Sequence, residues 1–340
     1  SNTAVGYEAL NKNTEALYNS ALGRHALCAN TTGANNTAVG MQALKSNTTA
    51  SDNTAIGCGA LETNTAAGNT AIGRDALTAN TTGTNNVAVG LLSMVGNTEG
   101  DNNVAIGKQA LDANTTADDN TAVGTAALGA NTTGTGNVAV GKDAMLYGTT
   151  GDYNVALGML TLGGSDVSTG NHNISIGRKS MFDNTSGNQN VAIGSSSLEN
   201  NTTAANNTAV GFCSMKANTT GASNTAVGFN TLPANTTADN NTAVGLNALQ
   251  ANTTGNSNVA VGSYSLSTAI TATNNTAVGK CALNLTTTGS NAAFGNDALR
   301  AQTTGIYNTA VGSAAGLKTT TGTRNVAIGT TAMGCNTTGS

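Results

Sequence analysis

Tryptophan is missing from these 340 residues, and proline occurs once, at Pro233. Charge is scarce too. Thirteen Lys and Arg stand against 17 Asp and Glu, for a net charge of −4. A nucleic-acid backbone needs a basic stripe, so nucleic acid is not expected as a partner. No run of 18 apolar residues occurs, so neither a transmembrane helix nor membrane insertion is expected. The opening residues, Ser1-Asn2-Thr3-Ala4-Val5-Gly6, lack the basic and apolar regions of a signal peptide. Export would need a signal outside this chain or a route without one.

The five cysteines, Cys28, Cys58, Cys213, Cys281 and Cys335, share no CxxC spacing and sit at variable positions. A disulfide or metal framework would place them at recurrent ones, so they read as incidental thiols. His25 and His172 are far apart, and no nucleophile elbow, phosphate loop or zinc spacing appears. The expectation is no enzyme, no cofactor and no metal.

Glycine is abundant, with 43 residues, and twenty of these mark a period. They run from Gly6, Gly23 and Gly40 to Gly312 and Gly329 at 17-residue intervals. The departures are two intervals of 16, before Gly73 and Gly295, and one of 19, from Gly158 to Gly177. A fixed period over the whole chain marks a stack of small units rather than a globule with a pocket. Residues 1–340 are therefore expected to form a single repeat array. Disorder is excluded, because a disordered polar tract has no reason to keep Ala, Val, Ile and Leu in register.

With the glycine at position 5, position 1 is Asn in every copy and position 2 is mostly Thr or Val. Position 3 is Ala except at Ser175, and position 4 is always apolar. Position 8 is Ala, Ser or Thr, position 9 is Leu or Met except at Gly316, and positions 12 to 15 read Asn-Thr-Thr-Gly or close to it. Positions 2 to 4 predict a short strand, with 2 and 4 on one side and 3 on the other. Position 4 and the Leu of position 9 are expected in the core. The tiny residue at position 3 implies a close backbone, either the far wall of the coil or a neighbouring subunit.

Glycine at position 5 ends the strand at Gly40, Gly57, Gly90, Gly107, Gly124, Gly211, Gly228, Gly245 and Gly262. The Asn columns are expected to stack as ladders, as at Asn36, Asn53, Asn86, Asn103, Asn120, Asn137, Asn207, Asn224, Asn241 and Asn258. Helix is excluded. A breaker every 17 residues leaves about seven residues between breakers, too few for a stable helix. The fold class is all-β, a parallel β-solenoid or β-roll of about twenty coils. At about 4.8 Å per strand the rod would be roughly 95 Å long. A core this thin also points to oligomerisation.

The string Asn86-Val87-Ala88-Val89-Gly90, like Asn190-Val191-Ala192-Ile193-Gly194, resembles the head repeats of trimeric autotransporter adhesins. The longer form with Ala-Leu and Asn-Thr-Thr-Gly resembles repeat arrays of bacteriophage tail-fibre proteins. The resemblance covers the whole chain and implies left-handed coils, a homotrimer, adhesion, and an extracellular or virion-surface location. The adhesin repeat is shorter, and neither a stalk with a membrane anchor nor a C-terminal chaperone domain is present. No polar capping repeat stands at Ser1 or Ser340. The expected object is a segment of a longer fibre, or a unit that stacks end to end.

The variable columns hold what a partner could read. Tyr7, Lys108, Lys142, Arg178, Lys179, Phe212, Phe229, Tyr264 and Lys280 form a candidate contact strip for a cell-surface receptor or glycan, or else plain solvated surface. Tyr18, Tyr153 and Tyr307 recur at position 17. Asp52, Asp101, Asp118, Asp119, Asp152 and Asp239 near the repeat boundary could bridge calcium, but solvated turns are the favoured reading. Asn47, Asn80 and Asn218 head glycosylation sequons that the repeat creates automatically. The expected function is the shaft of an extracellular fibre, a phage tail fibre or related trimeric adhesin. The alternatives are a subunit of an end-to-end filament and, third, an ice-binding β-solenoid.

Overall fold

The computed structural model describes residues 1–164 and 167–339; Ser340 lies outside them. The described residues form an all-β parallel β-solenoid of about 19 turns with about 17 residues per turn and no helix. Two compact units make it up, Ser1–His172 and Asn173–Ser340. The boundary between them falls within the single 19-residue interval.

Every coil contributes one strand of three residues. In the first unit the strands run from Thr3–Val5 to Val155–Leu157, and in the second from Ile174–Ile176 to Val326–Ile328. Consecutive strands pair parallel and in register within each unit. Thr37, Ala38 and Val39 lie beside Thr54, Ala55 and Ile56, and Thr225, Ala226 and Val227 beside Thr242, Ala243 and Val244. The short repeats keep this register, with Thr54 beside Thr70, so the lost residue is absorbed outside the strand.

Glycine closes each strand for two reasons. Gly40 has φ of 132°, a backbone state that side chains resist. A Cβ there would also stand 2.5 Å from the carbonyl oxygen of Gly57 in the next coil. Two tight turns follow. Ala43 N–H donates to the Gly40 carbonyl at 3.4 Å, and Asn47 N–H to the Leu44 carbonyl at 3.2 Å. Gln42 (φ 64°) is the left-handed third residue of the first turn, Leu44 (φ 50°) holds the same place in the turn closed by Lys45 N–H on the Gln42 carbonyl at 3.2 Å, and a third left-handed residue stands at Asp52 (φ 62°). This explains why position 9 is Leu or Met and never Val or Ile. A β-branched residue in the left-handed region is a genuine outlier.

Backbone bonds tie coil to coil well beyond the strand. Thr37 N–H donates to Asn53 O at 2.8 Å, Leu44 N–H to Ala60 O at 3.0 Å, and Thr31 N–H to Thr48 O at 2.8 Å. The polypeptide is thus laddered on several sides of the coil, which meets the demand that buried backbone groups be paired.

The core differs from expectation at one column. Leu and Met at position 9 are buried, as with Leu44, Leu249 and Met215. The buried strand residue, however, is Ala at position 3, at 0% exposure for Ala38 and Ala226. Position 4 faces outward: Ile56 and Ile106 are 39% and 41% exposed. The strand alternates as expected but with its faces exchanged, position 3 inside and position 4 outside. The physical reason is the width of the coil. Position 8 forms the opposite wall, close enough that Ser93 Oγ donates to the Ala105 carbonyl at 2.9 Å. Between two such walls only small residues fit. The tight packing at position 3 is therefore the far wall of the coil, and the larger Val and Ile are left outside.

Candidate functional site

Two asparagine ladders run inside each unit. At position 1, Asn36 Oδ1 accepts the N–H of Asn53 at 3.0 Å, and Asn36 Nδ2 donates to the Ala50 carbonyl at 2.9 Å. The same pair of bonds recurs at Asn86, Asn103, Asn120 and Asn137 in the first unit. In the second unit it recurs at Asn207, Asn224, Asn241 and Asn258. Asn53 departs: its Oδ1 accepts from Asn69 N–H at 2.9 Å, but its buried Nδ2 has no partner. It heads the 16-residue coil.

The second ladder, at position 12, joins side chain to side chain. Asn97 Nδ2 donates to Asn80 Oδ1 at 2.9 Å and to the Gly100 carbonyl at 3.1 Å. Asn218 Nδ2 donates to Asn201 Oδ1 at 3.0 Å and to Gly221 O at 2.9 Å. These are the sequon asparagines. Asn47, Asn80 and Asn218 are fully buried, so their amides are closed to a glycosyltransferase in the folded coil.

The hydroxyls at position 13 extend the pattern on the outside, as with Thr31 Oγ1 to Thr48 O at 3.0 Å and Thr219 Oγ1 to Thr236 O at 3.0 Å. The boundary aspartates act similarly. Asp101 Oδ1 accepts the N–H of Thr84 at 2.6 Å, and Asp118 Oδ1 that of Asp101 at 2.7 Å. Asp152 and Asp239 accept from Thr135 and Ala222, and Asp52 accepts from Asn35 Nδ2 at 3.0 Å. Asp119 lies at position 17 with φ of 60°. Among the described residues no group of three or more His, Cys, Asp or Glu gathers to hold a metal.

The candidate contact strip lies on the outer surface. Tyr7, Lys108, Lys142, Arg178, Phe212, Phe229 and Lys280 stand at position 6 and are exposed. Lys179 and Tyr264 belong to position 7, where Lys179 is half-buried. The strip is broken into short local groups. Lys142 lies 3.6 Å from Asp143. Lys179 lies 3.9 Å from Glu199 and 5.1 Å above the Phe182 ring, and Lys216 meets Glu199 at 3.4 Å. Phe212 and Phe229 stack, with centroids 5.4 Å apart, and exposed Leu246 holds the same position one coil on. Beside them Asn230 Nδ2 donates to Asn247 Oδ1 at 2.9 Å. At position 17, Tyr153 stacks on His172 at 5.3 Å and Arg324 lies 5.9 Å from the Tyr307 ring.

The five thiols are free. Burial is the main cause that raises the Cys213 thiol pKa, with Lys216 opposing it, so it is poorly suited to act as a nucleophile.

The largest feature that sequence reasoning placed wrongly is the outer strand face itself. Positions 2 and 4 present Thr, Val and Ile in rows along both units. In the first unit Ile56, Ile72, Ile106 and Val140 are exposed; in the second Ile174, Ile193, Phe294 and Val311 are. The signal was in the sequence, since the one invariably tiny strand position must face the narrow side.

No protein-family model matches this chain, and no curated protein matches it either.

Proposed function

We propose that this protein is the shaft of an extracellular or virion-surface fibre, as its repeat's resemblance to phage tail fibres and trimeric adhesin heads implies. The observation that carries the reading is the uncovered face of positions 2 and 4. A single chain leaves Ile56, Ile72 and Ile106 outward, each 38–41% exposed. Contiguous exposed apolar surface of this kind marks an interaction site. The occupant we assign is a second and third copy of the same chain, whose identical coil spacing matches it row for row.

The role is mechanical, without catalysis. Ladders set length and stiffness, and outer columns meet the target. The Phe212–Phe229 ridge, flanked by Asn230 and Asn247, has the aromatic and amide groups suited to a cell-surface glycan. The decisive experiment is light scattering of the purified protein combined with Ile106→Asp and Ile193→Asp. Trimeric mass that falls to monomer in the variants supports the fibre. A monomer with the native sequence at high concentration overturns it.

A further inference from the structure

The position-12 ladder is interrupted at several coils, and some of the interruptions leave buried polar atoms without a protein partner. In a regular coil the amide makes two donations. Asn235 Nδ2, for example, reaches Asn218 Oδ1 at 2.7 Å and the Ala238 carbonyl at 3.1 Å. One coil beyond Asn252 the position is Ala269, fully buried. Asn252 Oδ1 is then left without a protein partner. The Ala272 carbonyl, which would take the second donation, receives Asn258 Nδ2 at 2.7 Å and keeps a lone pair free. A water molecule has the two O–H donors needed to replace both.

Two other places show the same chemistry. Gln302 gives its Nε2 to Gly305 O at 2.6 Å, but its Oε1 and the Thr319 Oγ1 one coil on are both buried and unpartnered. In the first unit, Asn47 Oδ1 and Asn53 Nδ2 are an orphan acceptor and an orphan donor beside the 16-residue coil. Leaving such groups unpaired is costly, and buried water commonly meets this demand with about three hydrogen bonds.

A fourth break is the natural control. Gly148 follows Asn131, whose Oδ1 is also orphaned. There the Met145 methyl lies 3.0 Å from where a Cβ of residue 148 would stand, filling the space with carbon.

We propose that the breaks at Ala269 and at Gln302–Thr319, together with the orphan pair Asn47–Asn53, are built sites for single ordered waters, each making the hydrogen bonds that the protein leaves unmet there, and that the break at Gly148 is dry. The test is a crystal structure of the full chain at a resolution that places solvent. Peaks within hydrogen-bond distance of Asn252 Oδ1 and Ala272 O, and at the other two sites but not beside Gly148, are expected. Empty density at the three, or water at all four, overturns the proposal. A second measurement uses Ala269→Asn, which restores the ladder. The peak should vanish, its place taken by the new amide. A peak that persists beside Asn252 Oδ1 in this variant would overturn the proposal. Both readouts concern the interior of one chain, so they stand or fall separately from trimer formation.

Discussion

Ser214 Oγ donates to the carbonyl of Ala226 at 3.0 Å, although the two residues belong to opposite walls of the coil interior. Both are fully buried. The contact sets the interior width, and it leaves no room for a larger residue at position 3. Ala226→Leu should therefore act on folding rather than on association. Overpacking costs typically about 1–3 kcal/mol, and a narrow coil has little means to relax. Phe229→Ala removes an exposed ring and should cost about 0.5 kcal/mol or less. Urea midpoints of the two variants measure the difference; equal midpoints would mean the walls have slack.

Leu249 is buried with φ of 50°. An ordinary core tolerates Leu→Ile with repacking at under about 1.5 kcal/mol. Here the branched Cβ must also enter the left-handed region, which adds roughly 1–2 kcal/mol. Leu249→Ile should thus destabilise clearly more than Leu249→Met, a change the chain already makes at Met215 and Met181. Thermal melts followed by circular dichroism should rank the variants wild type, Met, Ile. Ile equal to Met would remove the backbone explanation.

These two positions also show how far the sequence could be read. The period, the strand, its glycine terminus and the buried Leu follow from residue types that only one conformation suits. The side on which Ala226 lies did not follow, because hydrophobicity favoured Val227 as the core residue and only the interior width decides otherwise. The left-handed sites at position 7 were hidden for a different reason. Gln42 and Lys179 adopt φ of 64° and 55°, although neither residue type favours the left-handed region. The contact strip had even less to show itself by, since exposed Lys108 and Phe212 obey no packing rule.

Asp112 offers a pH handle. Burial raises its carboxyl pKa above the ordinary value, outweighing hydrogen bonds from the backbone and Gln109. The folded state then holds its proton more tightly than the unfolded chain does. By linkage, this group favours folding most when protonated, and the contribution is lost as pH rises through the folded pKa. Asp112→Asn should raise the melting temperature slightly at pH 7 and leave it unchanged at pH 3. A variant less stable at pH 7 would show that the carboxylate is better accommodated than its burial implies.

Asn224 tests the position-1 ladder. Its Oδ1 accepts the N–H of Asn241 at 2.9 Å, and its Nδ2 donates to the Ala238 carbonyl at 2.7 Å. Asn224→Ala orphans that buried N–H, whereas the Ala238 carbonyl still receives Asn235 Nδ2 at 3.1 Å. The loss is therefore mainly one desolvated donor plus a small void, about 2–3 kcal/mol. Thr237→Ala, at an exposed position of the same coil, should cost about 0.5 kcal/mol or less. Because each coil of a solenoid rests on its neighbours, the damage should be local. Hydrogen exchange in Asn224→Ala should accelerate in strands Thr208–Val210, Thr225–Val227 and Thr242–Val244 and leave Val191–Ile193 near its native protection. Uniform acceleration across the second unit would mean that its coils unfold as one block, and that the ladder acts through global stability rather than from neighbour to neighbour.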